Sequence, residues 1–532
     1  SAILAWIAAA IWVVLPIQTE SVIYIVQRTE SLMGLFYLLT MYSAVRAMES
    51  GGGLLWPAVS VVCCGLGMGT KEAMVTAPAI VLLYDRAFFG GSFIAALRRR
   101  WGMYGGLAGT WVILAALLWS GPRQEQSGGF TISGSLSYAA NQGIVILRYL
   151  RLSVWPRGLC LDYSWPIVKD WGKLALPLLV ILVMLAVTVW GIIRNKSWSY
   201  PAAWFFGTLA VTSSFVPIAD LAFEHRMYLP LAGLVVLAVA GGYVLLERFP
   251  GVVPAKRTGI ILAVAVIGVL ALVTLLRNND YRSAMSIWQS VLDVTPYSTR
   301  AHNNLGLALQ SLGEVDQAIK HYRIVLQLNP VEPKAYNNLG ISFKSLGSLD
   351  EAINCYRQAV LLKPDYAEAH NNLGNVLRLQ GKLNEAVSHF RQALRVKPES
   401  ANIYFNLGLA LQSQDKLDEA ADCFRQANRL HPGQPLPLNA LANLLATNPD
   451  PNMRNAKQAI ELAERAAAMT NHQDAIILNT LAAAYAAAGR FSEATATVQK
   501  ALDIAKASRN DQLADFIRRQ LEMYKQEKFI KQ

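Results

Sequence analysis

The residues with the most evident chemistry are ionisable groups set in apolar surroundings. Lys71 and Glu72 are adjacent, with apolar sequence on both sides. Glu224, His225 and Arg226 form a second group, flanked by Asp220 and Tyr228. Glu20, Arg28 and Glu30, with Gln18 and Gln27, make a third, and Arg148, Arg151, Arg157, Asp162 and Tyr163 a fourth. Ionisable side chains at membrane depth are expensive and mark functional sites. The arginines suit an anionic ligand, and a phosphate or pyrophosphate headgroup matches their forked donors. Two plainer readings compete. Lys71 and Glu72 could be a mutually neutralising hairpin pair, and residues 224–226 a solvated loop. Clustering of several such groups on one face favours a shared polar site.

The elements that must carry these groups are apolar helices. Hydrophobic residues make up 53% of the 532-residue chain and charged residues only 16%, with charges sparse before about residue 277 and dense after it. A bilayer core of about 30 Å takes roughly 20 apolar residues in a helix. Nine stretches approach this: 2–17, 31–48, 54–70, 72–89, 103–119, 174–193, 199–217, 227–246 and 258–276. The expected fold class is therefore all-α, a polytopic transmembrane bundle of about nine spans followed by an α-solenoid. The net charge of +12 does not point to nucleic acid, because the basic residues of the first half lie in short loops between apolar stretches.

Those loops set an orientation. Arg98, Arg99 and Arg100 precede one stretch, Arg194 and Lys196 follow another, and Arg248, Lys256 and Arg257 link the last two. Positive loops stay in the cytoplasm. Counting crossings puts residues 18–30, 71–72, 120–173 and 218–226, and everything after about 277, on the external face. Within 120–173 the segment Ile144 to Val154 is apolar but carries Arg148 and Arg151, which fits an interfacial or re-entrant helix. A bacterial inner membrane, with the repeats periplasmic (or luminal), is the expected location.

The five cysteines show no metal-ligand spacing. Cys63 and Cys64 lie in an apolar run, and Cys355 and Cys423 fall in repeat helices as small hydrophobes; neither a disulfide nor a metal site is expected. The chain opens at Ser1 in apolar sequence without an initiator Met or basic leader, as a fragment lacking an N-terminal part would.

The second half repeats every 34 residues, through Pro296, Pro330, Pro364, Pro398 and Pro432 and through Gly306, Gly340, Gly374 and Gly408. Ala318, Ala352, Ala386 and Ala420 keep the same step, as do Tyr322, Tyr356, Phe390 and Phe424. A 34-residue period of these types is the tetratricopeptide-repeat (TPR) signature. The expected organisation is a transmembrane domain at 1–276, a connecting segment at 277–296, four regular repeats at 297–432, divergent repeats at 433–510, and a capping helix and tail at 511–532. Asn304, Asn338, Asn372 and Asn406 precede the Leu-Gly of the regular repeats. First helices line a TPR groove, and an Asn amide can both donate to and accept from a peptide backbone. The repeats resemble those of O-GlcNAc transferase in motif and in the position of this Asn; the plainer reading is a solvated Asn common at this position.

Both halves together resemble the transmembrane-and-TPR O-mannosyltransferases and their bacterial homologues, of the GT-C class of glycosyltransferases. Leu15-Pro16-Ile17-Gln18-Thr19-Glu20-Ser21-Val22, with Gln27-Arg28-Thr29-Glu30, is similar to the family's His-Pro-x-x-Thr-Glu-x-Val segment, with Leu15 in place of the His. Lys71-Glu72, Val75-Thr76 and Tyr84-Asp85 resemble its Lys-Glu…Val-Thr…Tyr-Asp helix. Arg148 to Arg151, Pro156, Leu159 and Asp162-Tyr163 resemble its central module, and Glu224 to Pro230 its Glu-Arg-x-Tyr-Leu-Pro motif.

The resemblance implies a reaction. A sugar, mannose-like, passes from a polyprenyl-phosphate donor to Ser or Thr of a protein held by the TPR groove. A carboxylate base on the hydroxyl and cations or a metal at the leaving phosphate are required. The family's acidic motif lies in the first external loop, upstream of the segment matching Ser1, so the catalytic base is not assigned in this chain. Arg148, Arg151 and Arg226 are the candidates for the lipid phosphate, with Lys71 weaker because Glu72 neutralises it. Glu20, Arg28, Glu30, Asp162, Glu224 and His225 support the site. No cofactor is called for beyond the lipid-linked sugar, and no spacing indicates a divalent metal. The competing reading is non-enzymatic: a membrane-anchored TPR scaffold for an external or envelope assembly. A transporter is disfavoured, since the membrane region shows no internal symmetry.

Overall fold

A computed structural model describes residues 2–23, 28–50, 53–89, 91–120, 132–211, 213, 221–248, 255–448, 450 and 454–528. Among them the fold is all-α, in two units, Ser1–Leu305 and Gly306–Gln532.

Among the described residues of the first unit five helices are long and apolar enough to cross a membrane: Thr29–Glu49, Trp101–Ser120, Trp171–Ile193, Pro230–Arg248 and Arg257–Tyr281. A sixth is counted if Glu72–Phe88 and Phe93–Arg99 form one broken span. Other stretches from the expected nine are shorter helices, and the sequence explains where they stop. Ala2–Val14 ends because Leu15 precedes Pro16 and takes an extended backbone, φ −67° and ψ 124°. Leu55–Met68 ends before Lys71, which is extended at φ −155° and ψ 148°. The polar residues that interrupt the apolar runs thus also interrupt the helices. Ser199–Leu209 is likewise short.

The solvent of this unit is read from its surface. Leu176, Leu179, Leu182, Val183, Val187 and Trp190 of Trp171–Ile193 are all exposed. Such a continuous apolar face suits hydrocarbon rather than water. Inward, Met33, Tyr37, Met41, Ala44 and Met48 recur at three- and four-residue steps and pack on Cys64, Met68, Met74, Ile80 and Leu107. Asp85 is buried beneath this core and is neutralised by Arg100, 2.8 Å from each carboxylate oxygen, with the Tyr104 hydroxyl donating at 2.8 Å.

The second unit is a run of antiparallel helix pairs of the TPR type, from Val315–Leu328 to Phe491–Ala507, closed by Asp511–Lys525. Its periodic residues meet across each pair. A Cβ added at Gly374 would stand 2.8 Å from Phe390 Cε1, and one at Gly340 2.7 Å from Tyr356 Cε1. The aromatic ring fills the place of the missing side chain, so the two helices approach closely. Gly374→Ala is expected to overpack this contact and cost about 1–3 kcal/mol, measured by denaturant unfolding.

Within the repeats His370 and His389 face each other, Nδ1 to Nδ1 at 3.0 Å. His370 Nε2 lies 3.0 Å from the Pro364 carbonyl, which only accepts, so Nε2 carries the hydrogen. His370 Nδ1 then accepts from His389 Nδ1. Burial, followed by the neighbouring His370, holds His389 below its ordinary value of 6.5. The unfolded chain takes up that proton more readily. The stability of the neutral pair is therefore present above pH 6.5 and lost as pH falls below it. Thermal unfolding of the repeats should come earlier at about pH 5 than at about pH 7.5, and His389→Gln should flatten that dependence.

Candidate functional site

Two turns bring the ionisable groups together. Pro16 starts the turn Pro16–Gln18, which leads into Thr19–Ile23 and presents Glu20. Phe223, extended at φ −142° and ψ 138°, leads into the turn Glu224–Met227. These turns pack against each other, and neighbouring helices fix them. Trp12 Nε1 donates to the Tyr228 carbonyl at 2.9 Å, and Thr274 Oγ1 donates to the Val14 carbonyl at 2.7 Å.

His225 is the link between carboxylates. Its backbone N–H donates to Glu20 Oε2 at 3.2 Å, and its ring Nδ1 lies 2.6 Å from Glu20 Oε1. Its Nε2 faces Glu30 Oε1 at 3.9 Å, and Glu30 in turn binds the Lys71 ammonium. Three stretches far apart in sequence, around residues 20–30, 71 and 225, are thus joined in one line: Glu20, His225, Glu30, Lys71. The ring of Phe223 stacks on His225 with centroids 4.9 Å apart.

Glu224 leads a second line. Its Oε1 accepts from the Cys160 N–H at 2.7 Å and the Tyr163 hydroxyl at 2.8 Å, while Oε2 takes Arg277 Nη2 at 2.5 Å. Arg277 also donates to the Tyr281 hydroxyl at 3.2 Å. Arg226 donates to the Leu221 carbonyl at 3.0 Å and the Tyr138 hydroxyl at 3.3 Å, and its guanidinium lies 5.3 Å from the Phe223 ring centre.

Burial governs the electrostatics. It pushes Glu20 up to about 8 and Glu224 up to about 7, against the opposing pull of Arg277 on both. It holds His225 down to about 3. Burial thus favours the neutral form of both partners in the Glu20–His225 contact.

Lys71 is matched by Glu30 and not by its neighbour Glu72, which corrects the expectation of a neutralising Lys71–Glu72 pair. Lys71 is extended and Glu72 opens the turn Glu72–Thr76, so the adjacent side chains diverge. Asp162 stands apart from the Glu224 line: its Oδ1 accepts from the Ser164 N–H at 2.7 Å, and its Oδ2 faces Arg300 at 3.0 Å. Arg148 is half-buried, with its guanidinium beside Gly158, where an added Cβ would come within 3.1 Å of Nη2. Among the described residues Arg148 forms no ion pair, and its Nε has no hydrogen-bond acceptor. Arg151 is exposed. The side chain of Arg28, and all of Gln27 and Asp220, lie outside the described residues.

The asparagine ladder is tied to itself. Asn372 Nδ2 donates to Asn337 Oδ1 at 3.0 Å, and Asn406 Nδ2 to Asn371 Oδ1 at 2.9 Å, each reaching the preceding repeat. Asn338 is buried and Asn304 half-buried. A share of the donor capacity expected to face a peptide is thus used between repeats.

Sequence reasoning passed over Arg277, Tyr138 and Tyr149. Arg277 follows the apolar stretch 258–276, where a basic residue reads as an interface anchor; only the acid across from it reveals its role. Tyr149 lies inside the central module. Its hydroxyl donates to the Phe223 carbonyl and accepts from the Phe223 N–H, both at 2.7 Å, clamping the strand-like residue that feeds the Glu224 turn. Tyr149→Phe takes from the Phe223 N–H its acceptor and leaves the Phe223 carbonyl with the Arg226 N–H alone, and should cost about 1–3 kcal/mol in thermal unfolding of the detergent-purified protein. Ser153→Ala, on the same helix, should cost less.

The model of the cilia and flagella-associated protein 70 C-terminal domain matches residues 263–528. Mouse "Protein O-mannosyl-transferase TMTC4" is 27% identical over 368 residues, 60% of this chain and 48% of its own. Human "Protein O-mannosyl-transferase TMTC1" is 26% identical over 373 residues, 60% of this chain and 41% of its own. The chain spans about half the length of the curated relatives it matches. Among solved structures, Pseudomonas aeruginosa PilF is 22% identical, covers 42% of this chain and 97% of its own, and superposes with a TM-score of 0.36. Through a match over half of its length, this chain belongs to the TPR family of the cilia and flagella-associated protein 70 C-terminal domain.

Proposed function

We propose that this chain is part of a GT-C-type membrane glycosyltransferase that moves a mannose-like sugar from a polyprenyl-phosphate donor to Ser or Thr of a protein. The relatives named protein O-mannosyl-transferases support the reaction class. The single observation that carries the site is the buried junction of Glu20, His225, Glu30, Lys71 and Glu224, assembled where apolar helices break. In this reading the membrane half makes about nine crossings, short helices included. The junction and the repeats then lie on the external face, periplasmic in a bacterium, and the repeats hold the acceptor protein.

The chemistry divides among the residues by their freedom. The acceptor oxygen attacks the anomeric carbon, the carbon–oxygen bond to phosphate breaks, and the hydroxyl proton goes to a carboxylate base. Glu20 and Glu224 are fully enclosed and committed to His225 and Arg277, so they act as positioning residues and neither is assigned as that base. Lys71 is neutralised by Glu30. Arg148, with no ion pair among the described residues, is the foremost candidate to meet the developing phosphate charge. Arg151, which is exposed, is the second candidate, and Arg226 is buried against the Leu221 carbonyl and the Tyr138 hydroxyl.

Binding of a polyprenyl-phosphate mannose to the detergent-purified protein tests this reading. Saturable binding is expected, weakened about ten- to a hundredfold by Arg148→Gln, the equivalent of one charge-assisted hydrogen bond. Absence of binding would refute the reading and favour a TPR scaffold without transfer chemistry.

A further inference from the structure

The first unit contains a cavity far from the junction of Glu20, His225 and Lys71. It measures about 790 Å³, within the range of ligand pockets. Helices Arg28–Glu49, Leu55–Met68 and Trp101–Gly109 line it, together with Leu54, Arg99 and Arg100 at their ends.

Its depth follows from two helices that also reach the junction. Glu30 lies in the first turn of Arg28–Glu49 and Met48 in the last. A helix rises 1.5 Å per residue, so about 27 Å separate the two, close to the roughly 30 Å of a bilayer core. Leu54 precedes Leu55–Met68 and Lys71 follows it, so the same opposition recurs. The junction and the cavity therefore lie at opposite ends of the helix layer. In the orientation proposed above, the cavity faces the cytoplasmic leaflet, whose anionic lipids attract basic residues.

The lining is apolar with a cationic edge. Met48, Pro57, Ala58, Val61, Val62 and Met103 form its wall. Leu54 and Trp101 also line it and are 87% and 78% exposed. Trp is the residue that settles at headgroup level. Arg100 is committed to Asp85. Arg99 is exposed and makes no ion pair among the described residues, and its neighbour Arg98 is exposed beside it. The space is open: a Cβ added at Gly102 would meet nothing within 4 Å.

These features select an occupant. A soluble anion would leave the apolar wall uncovered. An uncharged lipid would leave Arg99 unmatched. The choline or ethanolamine of a zwitterionic lipid would find no counter-charge, because no described lining residue is acidic. A phospholipid of net negative charge satisfies wall and edge together.

We propose that this cavity binds one anionic phospholipid, with its headgroup on Arg99 and an acyl chain along Val61, Val62 and Met103. The site lies across the apolar layer from the junction, so its occupancy is independent of sugar transfer.

Native mass spectrometry of the full chain in detergent, with dioleoylphosphatidylglycerol or dioleoylphosphatidylcholine added at equal concentration, is the test. Phosphatidylglycerol should bind at one site about fivefold more tightly than phosphatidylcholine. Arg99→Gln should erase that difference. Gly102→Leu, which fills open space, should weaken both lipids at least fivefold, with the thermal midpoint in detergent held in each variant. Equal affinity of the wild type for the two lipids, or affinities unmoved by either variant, would overturn the inference. So would competition by millimolar glycerol 3-phosphate, which would make this a soluble-anion site. Loss of polyprenyl-phosphate mannose binding in Arg99→Gln would overturn it too, by making the cavity the donor site.

Discussion

A carboxylate taken out of water must be neutralised where it lies, and this constraint organises the first unit. Glu20 and Glu224 are fully buried, and Glu30 nearly so. Breaking a buried pair leaves an uncompensated charge that costs about 3–5 kcal/mol. Lys71 answers Glu30 and Arg277 answers Glu224 as charged partners, while Glu20, held neutral by burial, is satisfied by the His225 N–H and ring. The partners come from distant segments, so satisfying them fixes how the helix ends meet. Helices Ala2–Val14 and Leu55–Met68 stop short of a full crossing because the residues beyond them belong to this junction.

The second unit obeys a different constraint, steric rather than electrostatic. Phe390 and Tyr356 occupy space that only glycine leaves open on the facing helix. Repetition of that contact every 34 residues propagates the solenoid, and the asparagines of neighbouring repeats bond along it. After residue 432 the side-chain oxygens of Asn439 and Asn479 are buried without hydrogen-bond partners among the described residues.

Periodic features were the most legible in the sequence, because a period is visible in one dimension. The repeats, their glycine–aromatic pairs and the all-α character could be read directly. The membrane character was legible from the apolar runs, although among the described residues five helices, six with the broken pair, meet the length and apolarity for a crossing where nine were expected. Partner choice was less legible. Lys71 stands beside Glu72 in sequence, yet its partner is Glu30, because an extended backbone sends neighbouring side chains apart. Arg277 and Tyr149 escaped notice because their roles exist only across space, 53 and 74 residues from the groups they serve. The asparagine ladder was visible as spacing, but its bonding between repeats was not.

The functional reading rests on the junction being a built electrostatic unit and not a chance meeting of loops. A double-mutant cycle between Glu224 and Arg277 addresses this most directly. Unfolding of Glu224→Gln, Arg277→Met and the double variant would be compared with wild type in one detergent. The double variant should be more stable than the sum of the single losses allows, with a coupling of about 2 kcal/mol or more. Additive losses would contradict a paired junction, and with it the assignment of these residues to a preorganised site.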